Sequence, residues 1–305
     1  MRYEKENRQK GITLIALVVT ITVLIILATV SINTVLGNNG IIARAQKARD
    51  SYQNSSTSED EQMAVLANEM AQYDKDENSG VIEKTKSYVG YYADIDGDGT
   101  VDGVIYADLA VGGSGQWRDS DGAFSYEAIT GVKDYTISQA NYSGDFGENG
   151  VLKATGSGKD RFYVMALEDI DADTHTWYKN AYTSGISAYN TITSESFGSG
   201  KTNTDTMIEK WNSSAYGDQV DTDMWKAIQT QVNKGWFVPS KEEWSAFANN
   251  LSIDKTNYVN HSLSDYCWSS SLEGKDGAWY ADFLDGYVSL DDINGIHFVR
   301  MSATF

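Results

Sequence analysis

The stretch KGITLIALVVTITVLIILATVSI, residues 10–32, is the most apolar part of the chain and decides how the rest is interpreted. It belongs to a longer run, residues 12–36, that contains no charged side chain. As a helix rising about 1.5 Å per residue, that run would extend roughly 37 Å, more than the ~30 Å hydrocarbon core of a bilayer. Since a backbone in lipid must satisfy its own hydrogen bonds, the sequence predicts a transmembrane helix near the N-terminus.

The eleven residues in front of this run are polar, with four basic and two acidic side chains. Positive charge on that flank predicts a cytoplasmic N-terminus and an exported remainder. The apolar run is longer than the apolar region of a secretory signal peptide, and no small-residue cleavage site follows it. We therefore predict a single-pass membrane protein whose bulk lies outside the cell.

The basic leader, the Lys-Gly pair and the sequence ITLIALVV together resemble the start of type IV prepilins. The resemblance implies that a prepilin peptidase cuts between Gly11 and Ile12 and that Ile12 becomes N-methylated. It also implies that the apolar helix assembles with other pilin-like subunits, at the cell surface or in an extracellular filament. In that family the fifth mature residue is usually a glutamate, whereas this chain has Ala16. The departure leaves open whether the chain is a major or a minor subunit.

Downstream of the apolar run, two amphipathic stretches continue a helical pattern. Ile41, Ile42, Ala45 and Ala48 lie at helical spacing, and a second apolar stripe follows within residues 63–70. This predicts three segments: a prepilin leader at 1–11, a transmembrane and stalk helix at 12–75, and an extracellular globular domain at 81–305.

The globular part contains most of the 19 tyrosines and 8 tryptophans of the chain, which favours a β-rich or mixed domain with an aromatic core. Residues 87–113 predict a strand, an acidic turn and a second strand, and residues 160–170 a further strand. Helices are predicted at 202–212, 221–233 and 240–251, the last with Ser240 as N-cap and Glu243 completing a capping box. The predicted fold class is α+β, a long N-terminal transmembrane and stalk helix followed by a mixed α+β head.

Charge and residue types exclude several classes of function. A net charge of −19 without clusters of Lys or Arg argues against nucleic acid as a partner. Cys267 is the single cysteine, so a disulfide within the chain is excluded, and its aromatic setting predicts a small buried side chain. The three histidines lack metal-ligand spacing, and GSGKT at 198–202 lacks the first glycine of a phosphate loop. We predict that the protein is not an enzyme.

The segment DIDGDGTVD places Asp94, Asp96, Asp98 and Asp102 within nine residues. Carboxylates at alternate positions can converge on one calcium ion, and the glycines permit a sharp turn. The twelfth position holds Ile105 instead of the glutamate of an EF-hand, so this is a shorter loop. An Asp-Gly-rich hairpin turn without a metal is the alternative.

Four segments within residues 235–303, GWFVPSKEEWSAF, YCWSSS, AWYADFLDGYVS and HFVRMSA, are similar to C-type-lectin-like domains of the formylglycine-generating-enzyme group. They also resemble the variable proteins of diversity-generating retroelements. The oxidase's paired cysteines and the lectins' calcium motifs are absent from the sequence, so only the scaffold is implied. Arg300 is predicted to be a structural cation that bonds to the backbone or to an acidic neighbour. Alternation along the strands predicts a set of exposed ligand-binding residues. The set is Tyr266, Ser270, Ser271, Tyr287, Asp291, Asp292 and Asn294.

These features predict a pilin-like surface subunit that assembles through its apolar helix and displays a ligand-binding or adhesive head. The predicted partners are a prepilin peptidase, other pilin-like subunits, the membrane and an extracellular ligand of unknown identity. Two alternatives remain open, a minor pseudopilin of a type II secretion or DNA-uptake system and a membrane-anchored hydrolase.

Overall fold

The structure is a computed structural model that describes residues 17–29, 44–45, 47–48, 81–118, 123–181 and 192–305. The chain divides into two compact units, Met1–Asn78 and Ser79–Phe305. We refer to the second unit as the head.

In the first unit, residues 17–29 form a helix, and residues 44, 45, 47 and 48 are also helical. Within the described ranges, none of the helices combines the length and the apolar character needed to cross a membrane. The predicted long transmembrane and stalk helix over 12–75, and the localisation as a single-pass membrane protein, are therefore wrong for the described residues.

The helix at 17–29 is apolar on every side, and all of its residues are exposed. Its polar side chains are three threonines, and each hydroxyl donates to a carbonyl of the preceding turn. Thr22 Oγ1 lies 2.8 Å from the Val18 oxygen, and Thr29 Oγ1 lies 2.6 Å from the Ile25 oxygen. The surface of the helix is thus apolar, because each threonine hydroxyl donates to a backbone carbonyl of the same helix.

The described part of the head contains fifteen strands. In chain order they are β1 (Tyr92–Asp94), β2 (Gly103–Asp108), β3 (Gly113–Gly115), β4 (Phe124–Tyr126), β5 (Tyr135–Gly144), β6 (Gly147–Ala154), β7 (Phe162–Asp169), β8 (His175–Thr176), β9 (Asn180–Ala181), β10 (Gly217–Asp218), β11 (Tyr266–Glu273), β12 (Gly277–Asp282), β13 (Tyr287–Asp292), β14 (Ile296–His297) and β15 (Arg300–Thr304).

Six strands form the main sheet in the order β15-β7-β2-β1-β6-β5. The β1 and β2 strands are antiparallel, as the strand–turn–strand pattern predicts, while β1 and β6 are parallel with Asp94 opposite Lys153. A second sheet has the order β11-β12-β13, and three two-stranded ladders pair β3 with β4, β8 with β14 and β9 with β10. Because β1 and β2 lie in the middle of the main sheet, both are fully buried.

Helices in the head are short. They are α1 (Gly200–Asn212), α2 (Met224–Ala227), α3 (Gln229–Val232), α4 (Lys241–Asn250) and a 3-10 turn at Tyr258–His261. The fold class is therefore corrected from α+β with a long helix to mostly β with a few short helices. The helical pattern predicted at 221–233 divides into α2 and α3, whereas most other segments pair as strands because aromatic and β-branched residues fit a buried sheet.

The start of α4 shows the predicted capping box. Ser240 Oγ accepts a hydrogen bond from the Glu243 amide, and the Ser240 amide donates to Glu243 Oε2 over 2.7 Å. Glu243 Oε1 also accepts from the amides of Gly198 and Gly200 at the start of α1, over 3.0 and 3.3 Å. Two backbone amides of the GSGKT segment thus donate hydrogen bonds to the Glu243 carboxylate of the same chain. Burial raises the pKa of Glu243 to about 7.

A buried ion pair lies at the far end of the β1–β2 hairpin. Arg161 donates to both oxygens of Asp108, over 2.8 Å from Nε and 2.9 Å from Nη2. The Asp108 carboxylate also accepts from the amides of Tyr88 and Ala110. The guanidinium donates to the carbonyls of Glu83 and Lys86 as well, so both charges are fully engaged.

The core lies on both faces of the main sheet and around the second sheet. Val104 and Tyr106 of β2 pack in one cluster with α4, while Ile105 points into the cluster on the opposite face. In β11, Cys267 belongs to the first cluster and Trp268 to a third cluster that includes residues of α1 and α2. Strand β11 is therefore covered on both faces, so the serines that follow Trp268 in this strand are also buried.

Candidate metal centre

The acidic turn connects β1 to β2. Asp94 is the last residue of β1, and Asp102 immediately precedes β2, where its amide donates to the Ala93 carbonyl over 2.8 Å. Gly97 and Gly99 have φ angles of 77° and 94°, a conformation that residues with a Cβ rarely adopt. The turn can therefore double back sharply and bring its side chains together.

Three of the four predicted ligands converge. Carboxylate oxygens of Asp94, Asp96 and Asp102 all lie within 4.8 Å of one another. The fourth residue, Asp98, lies outside this group, and its Oδ1 accepts from the amide and the hydroxyl of Thr100, over 2.8 and 2.6 Å. These hydrogen bonds lower the pKa of Asp98. Asp98 therefore shapes the turn, and we name the convergent set Asp94, Asp96 and Asp102 the aspartate triad.

Backbone amides fix the orientation of the triad. Asp94 Oδ2 accepts from the Gly99 amide over 3.1 Å, and Asp102 Oδ2 accepts from the Ile95 amide over 2.7 Å. Asp96 Oδ1 accepts from the Asp98 amide over 3.1 Å. Hydrogen bonds from the turn's own backbone thus hold the three carboxylates in place.

Asp94 is the unusual member of the triad. Its side chain is 1% exposed, and within the described residues its Oδ1 has no hydrogen-bond partner. Burial, together with the negative charges of Asp96 and Asp94, raises the pKa of Asp102. Lys153, which lies opposite Asp94 in the pairing of β1 and β6, donates from Nζ to the Gly97 carbonyl over 2.6 Å. The triad therefore concentrates negative charge around an oxygen that nothing in the described chain satisfies, and these hard oxygen donors fit Ca²⁺.

The predicted ligand-binding residues separate into two groups. Tyr266 and Tyr287 flank Asp282 at one end of the second sheet, since both pair with it across the strands. Asp291 and Asp292 lie at the other end of β13, roughly 13–17 Å from Tyr287 at the rise of a strand. These residues, with the exposed Asn294, do not form one compact site.

Ser270 and Ser271 are fully buried, which corrects the prediction that they are exposed. Ser270 Oγ accepts from Asn203 Nδ2 over 3.2 Å, and Ser271 Oγ accepts from the Lys241 amide over 3.0 Å. Both hydroxyls thus attach the start of a helix to β11. Alternation along β11 could not reveal this, because the strand is covered on both faces.

Two histidines that looked isolated in the sequence are neighbours in the structure. His175 in β8 is paired with His297 in β14, and each lies 3.0 Å from an aspartate, Asp171 and Asp291 respectively. Burial lowers the pKa of His297, and the charge of Asp291 opposes the effect. In the described part of the chain, neither ring is hydrogen-bonded to a serine hydroxyl or a thiol, so no nucleophile–base pair is formed here.

Cys267 and Arg300 both lie in the environments that the sequence predicts. Cys267 is buried, and burial raises the pKa of its thiol, as expected of a small core side chain. Arg300 donates to Asp169 over 2.7 Å and to the Ser262 carbonyl, which confirms a structural cation. Gly11, Ile12 and Ala16 lie outside the described residues, so processing and methylation stay predictions.

Comparison with known proteins gives little. No protein-family profile matches the chain, and no curated protein matches it. Among solved structures, the chain is similar to a fimbrial protein from Bacteroides ovatus at 17% sequence identity, with a TM-score of 0.34. That alignment covers 48% of this chain and 36% of the other. A TM-score of this size does not indicate a common fold.

Proposed function

We propose that the chain is a pilin-like subunit of a surface appendage. Its apolar N-terminal helix packs against the corresponding helices of other subunits, and its head is displayed outward as a ligand-binding or adhesive domain. Prepilin peptidase would remove residues 1–11 and leave Ile12 as the first residue, as the resemblance of the leader implies.

The observation that carries the proposal is the exposed apolar helix at 17–29. Nine large apolar side chains along it are 48–63% exposed. A helix that is apolar on every side is stable only when other apolar groups cover it. Since the threonine hydroxyls bond to their own helix, no side-chain donor would be stranded when similar helices pack around it.

The head supports the display role because it has its own core. Three clusters of buried side chains lie within it, and it forms a separate compact unit. Such a unit can be carried on an assembled helix while its exposed loops and strand ends contact a ligand. The solved neighbour is also called a fimbrial protein, but so weak a likeness adds no weight.

A charged substitution in the apolar helix tests whether this helix packs against the helices of other subunits. Leu24 in the helix and Val259 in the head are both 63% exposed, so Leu24→Lys and Val259→Lys form a matched pair. We expect Leu24→Lys to reduce the protein in the sheared surface fraction at least about tenfold, because an unpaired charge among packed apolar groups costs more than 1.4 kcal/mol. Val259→Lys should assemble normally, and near-ultraviolet circular dichroism should show both heads folded.

Mass spectrometry of protein from the native host tests the processing step. The expected N-terminus is a methylated Ile12, and an intact Met1 would contradict prepilin-type processing. Correct processing without any sheared surface fraction would instead indicate a pseudopilin of a secretion or DNA-uptake machine, and would overturn the appendage proposal.

A further inference from the structure

We propose that the β1–β2 turn is a calcium site in which Asp94, Asp96 and Asp102 bind one Ca²⁺ and Asp98 does not. The bound ion stabilises the central hairpin of the head. This inference is independent of how the subunit assembles, since it rests on residues of the head alone.

Asp94 points to an ion that the chain does not itself supply. Its carboxylate is almost completely buried in the triad, and Oδ1 lacks a hydrogen-bond partner within the described residues. Leaving a buried carboxylate oxygen unsatisfied is unfavourable, and two further carboxylates within 4.8 Å add repulsion. A cation placed between the three groups removes both penalties.

Lys153 is a described cation beside the turn, but it forms no ion pair with the described carboxylates of the triad. It lies opposite Asp94 in the parallel pairing of β1 and β6, and its Nζ donates to the Gly97 carbonyl. That contact stabilises the backbone of the turn, while Asp94 Oδ1 has no hydrogen-bond partner among the described residues. The position between the triad carboxylates is therefore suited to an ion from solution.

The donor set selects calcium over other biological cations. The triad offers carboxylate oxygens, which suit Ca²⁺, whereas Zn²⁺ favours nitrogen and sulfur ligands. Mg²⁺ demands near-ideal octahedral geometry, while Ca²⁺ accepts irregular sets completed by carbonyls and waters. Because affinity decreases as the number of charged ligands decreases, we expect three carboxylates to bind Ca²⁺ weakly, with a dissociation constant of about 10⁻⁴–10⁻³ M.

Thermal unfolding of the full-length chain, dispersed in a mild detergent, tests the site. Relative to EGTA, about 10 mM CaCl2 should raise Tm by about 3–10 °C, given an affinity in that range and a head of this size. The same concentration of MgCl2 should give a clearly smaller rise. Equilibrium dialysis with ⁴⁵Ca²⁺ should show one bound ion per chain.

Two variants within the same turn provide the matched control. Asp94→Asn should abolish the Tm rise and the bound ⁴⁵Ca²⁺, while Asp98→Asn should keep both, because an asparagine oxygen can still accept from Thr100. An unchanged Tm of the wild-type chain in Ca²⁺ would overturn the proposal. So would a full response in Asp94→Asn, an equal response to Mg²⁺, or a loss in Asp98→Asn as large as in Asp94→Asn.

Discussion

Asp94 and Asp108 are buried carboxylates at opposite ends of the same hairpin, and their surroundings differ. Asp108 receives a two-pronged contact from Arg161 and two backbone amides, so the chain supplies its counter-charge. Asp94 accepts from one amide, and among the described residues its other oxygen has no hydrogen-bond partner and lies beside two further carboxylates. The comparison separates a carboxylate whose counter-charge lies within the fold from one for which the described chain supplies none.

Glu243 is a third buried carboxylate, and the chain around it offsets its charge more than that of Asp94 but less than that of Asp108. It has no described cation beside it, but amides from Gly198, Gly200 and Ser240 point at its oxygens from the starts of two helices. Amides at helix starts stabilise negative charge. They do not fully offset burial, which raises the pKa of this carboxyl. Its protonation can therefore follow the pH of the surroundings.

The largest effect is expected at the complete ion pair. Arg161→Met leaves Asp108 buried without its cation and should lower the free energy of unfolding by about 3–5 kcal/mol in urea denaturation. Lys133→Met removes a half-exposed pair with Asp160 and should cost less than about 1 kcal/mol. Similar losses in the two variants would show that Asp108 does not depend on its internal cation.

Glu243 should produce the next largest effect, visible as a pH dependence. Its pKa is raised from 4.5 to about 7 in the folded state, so the folded protein binds this proton more tightly than the unfolded chain. The contribution to stability is fully present below pH 4.5 and is lost as the pH rises through 7, a change of about 3 kcal/mol.

Urea denaturation between pH 4.5 and 8 measures this change in the wild type and in Glu243→Gln. Subtracting the variant's profile removes the groups that titrate in both proteins. We expect the difference between the profiles to decline with rising pH. A flat difference would mean that Glu243 stays ionised throughout, with the amides fully compensating its burial.

The smallest effect should come from Asp94 without calcium. In EGTA, Asp94→Asn should leave the free energy of unfolding within about 0.5 kcal/mol of the wild type or raise it, since it removes a repelling charge and keeps an acceptor for the Gly99 amide. A loss of several kcal/mol would mean that Asp94, like Asp108, is satisfied by the chain alone. Circular dichroism melts in EGTA distinguish the two outcomes.

Local patterns in the sequence predicted the parts of the fold that depend on neighbouring residues. The capping box of Ser240 and Glu243 is confirmed, and the Asp-Gly turn connects two antiparallel strands as expected. Both depend on contacts within a few residues, for which spacing and residue type are sufficient. Spacing alone predicted four aspartate ligands in the turn. Only the three-dimensional structure shows that Asp98 accepts hydrogen bonds from Thr100 and lies outside the triad.

Features that depend on distant residues were missed or wrong. Asp108 and Arg161 are 53 residues apart, and the one local signal was an arginine directly before an apolar strand. Ser270 was predicted on a solvent face because alternation cannot show that elements cover both sides of β11. The long helix over 12–75 is inferred from uncharged length and helical spacing, but within the described ranges no helix of that length and apolar character is found.

The position of β15 has a consequence for the timing of folding. This strand closes one edge of the main sheet by pairing with β7, which precedes it by more than a hundred residues, and Phe305 packs into the core beneath. The sheet therefore cannot be completed until residues 300–304 have emerged from the ribosome or from an export channel. Until residues 300–304 arrive, the edge of β7 is open to pairing with another chain, so export before folding would require a chaperone or rapid release.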